Sequence, residues 1–353
     1  MKTEGCKTEG CKTEGRKAGG RFRRCRHFCL IIISMTLTAL LFSCSNDLSD
    51  ERISETRLLM DTYCTITIHG DVSSDILDEA FALCEELEAL LGMTIEGSDV
   101  WRINNSGGLP VVVDLRTIEV ISLGIAFGEL TGGLFDITIG QLSRLWDFNG
   151  EPNVPSETEL ERARETVDYR QIVISGDTVQ LINPDTWIDL GAIAKGYIGD
   201  KVAGFLVESG VSGALIDLGG DVITVGNRHT GSPWRIALRD PFGSRDNRLG
   251  VVEVSGVSVI SSGTYERQFE IDGIRYHHII DPNTGMPVIT SIVSATVIVE
   301  NAMIGEGIST SVILNRAGGL EYLFYHFPGF IGAVVVLETG EIFTFGELDI
   351  LEN

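Results

Sequence analysis

The pattern of apolar and polar positions along the chain predicts both helices and strands. Apolar residues recur at helical spacing in five stretches, at 76–91, 116–130, 194–209, 302–314 and 319–326. A sixth helix is expected to begin at Ser156, because Glu159 three residues later completes a capping-box pattern. Helices are therefore expected from one end of the chain to the other.

Shorter apolar stretches between these helices predict strands. They lie at 58–69, 169–174, 178–182, 213–217, 222–225, 234–238, 250–254, 257–261, 268–271, 274–277, 292–299, 332–337 and 341–345. Several are joined by tight turns, of which Asp272-Gly273 is a strong hairpin signal. Because strands and helices are interspersed and several strands form hairpins, the sequence predicts an α+β fold with mixed or antiparallel sheets and packed helices.

The composition indicates a large core and an acidic surface. Of the 353 residues, 43% are hydrophobic, which argues against wholesale disorder. The formal net charge is −23, and because residues 1–43 carry +6 the remainder carries −29. So acidic a chain is a poor candidate for binding nucleic acid, whose backbone needs positive patches. Small molecules, metal ions or proteins are the expected partners.

The first 44 residues predict export. Residues 1–15 are a low-complexity repeat of KTEG, residues 16–26 are basic, and residues 28–42 are mostly apolar. A basic segment, a short apolar segment and a cysteine after a small residue are typical of a lipoprotein signal peptide. Cys44 would then be lipidated and would anchor the protein to a membrane, on its periplasmic or other extracytoplasmic face. A simple cleaved signal or a retained anchor is the alternative.

Beyond Cys44 the chain is expected to have two parts. Residues 45–57 are polar and predict a tether, so one folded domain is expected at 58–353. This domain holds only Cys64 and Cys84 of the seven cysteines, too few for a disulfide framework. They are expected to be two small buried residues, or a single bridge if the protein is exported to an oxidising compartment.

Five segments carry more polar groups and turn residues than packing alone requires. They are LFDITIG at 134–140, IDLGAIAKGY at 188–197, SSGTYER at 261–267, YHHIIDPNTGMPV at 276–288 and NAMIGEGISTS at 301–311. Together they predict one polar, metal-dependent site assembled from distant parts of the chain.

The last of these segments suggests the metal. Glu306 and Thr310 are four residues apart, so a helix places both on one face. A carboxylate and a hydroxyl suit a hard cation such as Mg²⁺, which prefers oxygen ligands and keeps waters or phosphate oxygens in its shell. A solvated glutamate and a capping threonine on an exposed helix are the alternative.

The order of these motifs resembles the ApbE-like family. FDITIG followed by LW, then DLGAIAKGY, LGGD, SGTYER, YHHIIDPNTG and the segment around Glu306 and Thr310 occur in sequence between about Met60 and Phe345. The resemblance implies a T-fold-related architecture and a magnesium-dependent FAD:protein FMN transferase, often an exported lipoprotein. In that reaction a Thr or Ser hydroxyl of a target protein attacks the FMN-side phosphorus of FAD, and AMP leaves.

Roles for individual residues are expected from their chemistry, for His278, and from the resemblance, for the metal and FAD contacts. His278 is expected to be the general base, since histidine titrates near neutrality, although a strand-end histidine bonded to Asp281 is the alternative. The backbone carbonyl of Ala192 is expected to join Glu306 and Thr310 as a ligand of Mg²⁺. The residues expected to bind FAD are Met60, Leu134, Phe135, Asp136, Asp189, Lys195 and Ile280. For Phe135 a place in the core is the alternative.

The chain departs from the family pattern at Glu306, where an aspartate is usual. Glutamate is one methylene longer, and the flanking residues Gly305 and Gly307 replace alanines. We expect the glycines to let the backbone retreat and accommodate the longer side chain. A second departure is Asp61, which replaces a usual glycine and puts the local backbone geometry in question.

The expected function is FMN transfer to a Thr or Ser of exported or membrane redox proteins that carry a pattern like D-x-x-[ST]-[GA]-A-T. That pattern is absent from this chain, so self-modification is not expected. The alternatives are a magnesium-dependent FAD pyrophosphatase that yields FMN and AMP, a lipoprotein that binds FAD without turnover, and a generic exported interaction domain. The absence of a GxGxxG motif disfavours a Rossmann-type oxidoreductase.

Overall fold

A computed structural model of the chain describes residues 52–70, 72–244, 247–315 and 321–351. Its helices are α1 (Asp75–Leu91), α2 (Asp99–Asn104), α3 (Leu115–Thr131), α4 (Gly140–Trp146), α5 (Glu157–Arg164), α6 (Ala194–Glu208), α7 (Ala302–Leu314) and α8 (Glu321–His326). Its strands are β1 (Arg52–Leu59), β2 (Thr62–His69), β3 (Val111–Val112), β4 (Ile172–Ser175), β5 (Thr178–Leu181), β6 (Gly213–Leu218), β7 (Asp221–Gly226), β8 (Trp234–Arg239), β9 (Arg248–Val254), β10 (Ser258–Gly263), β11 (Gln268–Ile271), β12 (Ile274–His277), β13 (Ile292–Val299), β14 (Phe330–Leu337), β15 (Ile342–Gly346) and β16 (Ile350–Leu351).

One large antiparallel sheet organises the domain. Its eight strands lie in the order β1-β2-β6-β7-β10-β13-β14-β15, and every neighbouring pair is antiparallel. Three smaller antiparallel sheets have the orders β16-β9-β8, β3-β5-β4 and β11-β12. The predicted α+β class is confirmed, and the named sheets are antiparallel.

Both faces of the large sheet are buried, so its central strands are apolar on both sides. In β13, Val297 packs into the main core with residues of α6 and α7, whereas its neighbour Ile298 packs against β8 and β9. In β10, Ile260 packs into the main core and Val259 packs into the core formed with β8 and β9. Since successive side chains of a strand point to opposite faces, the two cores lie on opposite sides of the sheet.

An aromatic cluster joins the separate β11–β12 hairpin to α4. The ring centroids of Trp146 and Tyr276 are 5.5 Å apart, and those of Phe148 and Phe269 are 5.3 Å apart. Trp146 also stacks on Phe148 at 5.6 Å. Because the hairpin forms its own two-stranded sheet, these rings hold it on the domain.

The first strand corrects the prediction for the start of the domain. Residues 58–69, predicted as one strand, form the end of β1, a two-residue turn and β2. Because β1 begins at Arg52, residues 52–57 belong to the sheet and are not part of a tether at 45–57. The rest of the predicted tether and the predicted signal segment 1–44 lie outside the described residues.

Other differences concern short elements. The motif segment 134–140 forms turns that lead into α4. Helices α2 and α4 have six and seven residues and were not predicted, because so few residues show little periodicity. Within the described ranges, no helix is long and apolar enough to cross a membrane.

Helices α6 and α7 cross closely at Gly196. A Cβ atom on Gly196 would lie 2.5 Å from Ala302 O and 2.6 Å from Met303 N, which are backbone atoms at the start of α7. Backbone atoms in a packed helix cannot yield as a flexible side chain can. The crossing therefore requires glycine at this position.

We predict that Gly196→Ala lowers the free energy of unfolding by about 1–3 kcal/mol, as overpacking does. Gly204 on the same helix is the matched control, because a Cβ atom there meets nothing within 4 Å. Gly204→Ala should raise stability by up to about 1 kcal/mol through helix propensity. Urea unfolding measures the change in the free energy of unfolding for each variant. If both variants were stabilised, or both destabilised, the close crossing at Gly196 would not explain the result.

Candidate functional site

The predicted site segments meet at one end of the large sheet. The Gly219-Gly220 turn between β6 and β7 lies beside the β1–β2 turn, since Gly219 N donates to Tyr63 O at 3.1 Å. At the same end, Ser261 N of β10 donates to Asp221 Oδ1 at 3.2 Å. Antiparallel pairing thus brings the LGGD and SGTYER motifs together.

A buried ionic cluster lies where these strands meet α6 and α7. Lys195 Nζ lies 2.9 Å from Asp221 Oδ2 and also contacts Glu306 Oε1. Gly196 N donates to Glu306 Oε2 at 2.7 Å. Asp221 and Glu306 are only 4% and 3% exposed, so both carboxylates depend on these partners rather than on water.

The two helices exchange carboxylates. Gly196 is the third residue of α6, so its N–H has no partner within the helix, and Glu306 of α7 supplies one. In return, Asp200 of α6 accepts from Ala302 N at 2.8 Å and from Met303 N at 3.0 Å, at the start of α7. Each negative charge also faces the positive end of the other helix dipole.

The charges in this cluster influence one another strongly. Burial alone would lower the pKa of Lys195, but the carboxylates of Asp221 and Glu306 outweigh it and raise that pKa above its ordinary value. Burial, opposed by Lys195 and assisted by the charge of Asp221, raises the pKa of Glu306. Lys195 is therefore a permanent cation in this site. Burial likewise raises the pKa of Asp200 to about 6.

Two of the three residues predicted to hold a metal, Glu306 and Thr310, lie on the same helix, α7. Thr310 Oγ1 is 3.2 Å from Ser262 Oγ, one helical turn from Glu306, and Ala192 precedes the first turn of α6. Their donor atoms are oxygens, which fits Mg²⁺. Among the described residues there is no group of three or more His, Cys, Asp or Glu side chains suited to a metal ion. A cation here would depend on Glu306, a hydroxyl and a carbonyl.

The glycines beside Glu306 have a packing role. A Cβ atom on Gly305 would lie 2.7 Å from Val299 and 2.8 Å from Ile260, and one on Gly307 would overlap the ring of Phe127. The two glycines let α7 lie close to the sheet and to α3. This explains them without the backbone retreat that we expected from the longer side chain of Glu306.

His278 follows β12, at the base of the β11–β12 hairpin. Its backbone N–H donates to Arg267 O at 3.0 Å, and its Nδ1 atom is buried with no hydrogen-bond partner in the described part of the chain. Burial, and then the charge of Arg267, lower the pKa of His278 to about 4. The charge of Lys195 contributes in the same direction, so the imidazole is near the ionic cluster and neutral at pH 7.

The adjacent His277 has a structural contact instead. Its Nε2 donates to Val288 O at 3.2 Å, and burial lowers its pKa to about 4. The following turn is closed by Asp281, whose Oδ1 accepts from Asn283 N at 2.9 Å. Ile280 is buried and pairs with Pro287.

The three predicted FAD contacts in 134–136 have different surroundings. Leu134 lines a cleft of about 410 Å³ together with Asp281, Asn283, Thr284, Leu314 and Asn315. Phe135 is buried, with its ring 5.3 Å from that of Phe127, so it packs in the core. Asp136 accepts from Thr138 N at 2.8 Å and from Tyr169 N at 2.9 Å, which fixes the turn.

Asp189 and Met60 complete the predicted set. Asp189 N donates to Ile137 O at 2.7 Å, which ties its segment to the turn at 136–138. Met60 and Asp61 form the β1–β2 turn with φ angles of 52° and 56°, in the left-handed region. Asp61 thus adopts the conformation for which glycine is usual, as aspartate can. Glu88 Oε1 fixes this turn by accepting from Met60 N at 2.8 Å.

The crossing of α6 and α7 brings together Lys195 and Glu306, with Thr310 one helical turn along α7 and Ala192 two residues before α6. The charge of His278 is coupled to that of Lys195. Phe135 and Asp136 instead have internal packing and hydrogen bonds.

Sequence reasoning gave no role to Asp221, Asp200 and Glu88. The only local signal was the position of Asp221 after Gly-Gly in LGGD. Asp200 had none, because its partners lie about one hundred residues away in sequence.

Comparisons with known proteins identify the family of this chain. A profile of the ApbE family matches residues 60–328. An FAD:protein FMN transferase of Treponema pallidum is 31% identical over 81% of this chain and 85% of its own length. One of Klebsiella pneumoniae is 36% identical over 73% of this chain and 81% of its own.

Solved structures match the fold as well. The crystal structure of an ApbE protein from Thermotoga maritima has a TM-score of 0.77 and 31% identity, and the match covers 84% of this chain and 97% of that one. The flavin transferase ApbE of Vibrio cholerae has a TM-score of 0.75 and 28% identity, covering 84% and 96%. The chain therefore belongs to the ApbE family.

Proposed function

We propose that this protein transfers FMN from FAD to a Thr or Ser hydroxyl of an exported or membrane redox protein, with the help of Mg²⁺, and releases AMP. The chain is an FAD:protein FMN transferase, as are its named relatives at 31% and 36% identity. The cation, the acceptor hydroxyl and the class of target are the finer part of the proposal. One observation supports the cation and the attacking hydroxyl: Lys195, Asp221 and Glu306 form a buried ionic cluster near a neutral His278. The class of target rests on the sequence resemblance.

The reaction needs positive charge near the pyrophosphate of FAD. Lys195 supplies a cation that its two carboxylates keep protonated. The N-terminus of α6 adds the partial positive charge of a helix end. Together with a bound Mg²⁺, which would offset the carboxylates of Asp221 and Glu306, they would attract and orient the phosphates in a protein whose overall charge is −23.

The oxygen donors around Glu306 suit Mg²⁺, as described above. Glu306, Thr310 and the carbonyl of Ala192 would hold the ion, with Ser262 supporting Thr310 through its hydroxyl. Bound there, Mg²⁺ would neutralise charge on phosphate oxygens during phosphoryl-group transfer. Binding of the ion would require one partner of Glu306 to give way, because both of its oxygens already have partners.

His278 is suited to take the proton of the attacking hydroxyl. Its lowered pKa keeps the imidazole neutral, so a ring nitrogen is available as a base at physiological pH. The oxygen of the acceptor hydroxyl would form a bond to the FMN-side phosphorus while the bond to AMP breaks. The proton would move from that hydroxyl to the imidazole.

The proposed location rests on the sequence. A lipidated Cys44, followed by a short polar tether, would hold the domain at the extracytoplasmic face of a membrane, where exported redox proteins are found. Labelling with a radioactive fatty acid, compared between the native protein and Cys44→Ala, tests the anchor. Equal labelling of the two would contradict it.

The function is tested by incubating a soluble form that begins after Cys44 with FAD, Mg²⁺ and a peptide carrying D-x-x-[ST]-[GA]-A-T. AMP together with an FMN-sized gain in peptide mass is the expected result. AMP and free FMN with an unmodified peptide would favour the pyrophosphatase alternative. Tight binding of FAD without AMP would favour a protein that binds FAD without turnover.

We predict that His278→Gln lowers the rate of FMN transfer roughly 10²–10⁴-fold, the usual contribution of a general base. The affinity for FAD should change only a few-fold, because the phosphates would be bound by other residues. Rate is measured by AMP release and affinity by quenching of flavin fluorescence. His277→Gln is the control and should retain the wild-type rate, since glutamine can still donate to Val288 O. Equal losses in both variants would argue for a structural effect.

We also predict that acid destabilises the protein between pH 6.5 and 4. His277 and His278 have lowered pKa values in the folded state, so unfolding takes up protons as the pH falls through 6.5. A lowering from 6.5 to about 4 corresponds to roughly 3 kcal/mol for a histidine as buried as His277. Urea unfolding should show that the free energy of unfolding falls less steeply with acid in His277→Gln than in the native protein. Equal pH dependence in the two proteins would contradict the prediction.

A further inference from the structure

We propose that Lys195 occupies the cation position on Glu306 before the divalent cation binds, and that Asp221 keeps the ammonium group when the cation displaces it. The inference rests on the proposed binding of Mg²⁺ by Glu306. It adds an exchange of cations and gives a role to Asp221, which holds Lys195 and not the metal.

The exchange follows from the occupancy of the Glu306 carboxylate. Oε1 contacts Lys195 Nζ, and Oε2 accepts from Gly196 N at 2.7 Å. The bond from Gly196 N joins two packed helices, so the backbone of α6 cannot move away easily. The contact with Oε1 is made by the flexible side chain of Lys195, whose ammonium group can move. A cation that binds Glu306 would therefore displace Lys195 from Oε1.

The negative charges of Asp221 and Glu306 explain why a lysine lies between them. Without it, Asp221 and Glu306 would be two carboxylates, each less than 5% exposed, with no positive group between them. A buried charge without a partner is strongly unfavourable. The ammonium group is the positive partner that both carboxylates contact, and on Glu306 it stands where a metal ion would bind.

Asp221 makes the displacement possible at small cost. Lys195 Nζ already lies 2.9 Å from Asp221 Oδ2, so it keeps a carboxylate partner after it leaves Glu306. The other oxygen of Asp221 is held by Ser261 N at 3.2 Å, so the carboxylate does not follow the metal. The ammonium group is then free on one side, where it can face a phosphate.

The experiment measures Mn²⁺, which binds oxygen ligands as Mg²⁺ does, on the full chain in detergent and without FAD. Electron paramagnetic resonance of free Mn²⁺ gives the dissociation constant directly. Lys195→Met should bind Mn²⁺ at least about tenfold more tightly than the native protein, because the competing cation is gone. Lys201→Met is the matched control: it removes a lysine of the same helix that pairs with Glu119, and it should change the affinity little.

A double-mutant cycle separates exchange from a general effect of charge. In the native background, Asp221→Asn leaves Lys195 with Glu306 as its carboxylate partner and should weaken Mn²⁺ binding. In the Lys195→Met background the same substitution should weaken it much less. Equal losses in the two backgrounds would overturn the exchange, and so would a Lys195→Met protein with unchanged or weaker Mn²⁺ binding.

Circular dichroism establishes that each variant is folded. If Lys195→Met does not fold, Lys195→Gln, which is neutral and can donate to Asp221, takes its place with the same expected gain. Glu306→Gln tests metal binding by Glu306 separately from the exchange with Lys195. If it leaves Mn²⁺ binding unchanged, the proposed metal role of Glu306 fails, and the exchange fails with it. If it abolishes binding while Lys195→Met has no effect, only the exchange fails.

Discussion

The mutual capping of α6 and α7 is the interaction on which the rest of the site depends. Glu306 accepts from Gly196 N, while Asp200 accepts from the first two N–H groups of α7. Each bond satisfies a donor that a helix end leaves without a partner, in a place that water does not reach. Lys195, Thr310 and the turn at Ala192 all lie on or next to these two helices, so their relative positions follow from this crossing.

The large sheet supplies the other half of the site. Its register brings the turn before Asp221 beside the β1–β2 turn. It also places Ser262 of β10 against Thr310 of α7, and the backbone N–H of Ser261 against Asp221. Because both faces of the sheet are buried, a shift of one residue in β10 would exchange Val259 and Ile260 between the two cores. The positions of the polar groups are thus maintained by the apolar residues beside them.

Much of this could be predicted from the sequence. Periodicity located α1, α6 and α7, and the motifs located Lys195, Glu306 and Thr310. What periodicity could not show was the two-residue turn at Met60-Asp61, because Met60 has no turn preference and a contact from the distant Glu88 fixes the turn. Nor could spacing reveal that Asp136 would be used by its own loop, since Tyr169 lies far along the chain.

The aromatic cluster at the β11–β12 hairpin has a practical consequence. The hairpin carries Phe269 and Tyr276 against Trp146 and leads into His278, and Trp146 Nε1 donates to Gly285 O at 2.7 Å in the turn that follows. Indole emission responds to neighbouring rings and to hydrogen bonding. Trp146, one of four tryptophans, is therefore a native optical probe, and its fluorescence would register any movement of the hairpin without an added label.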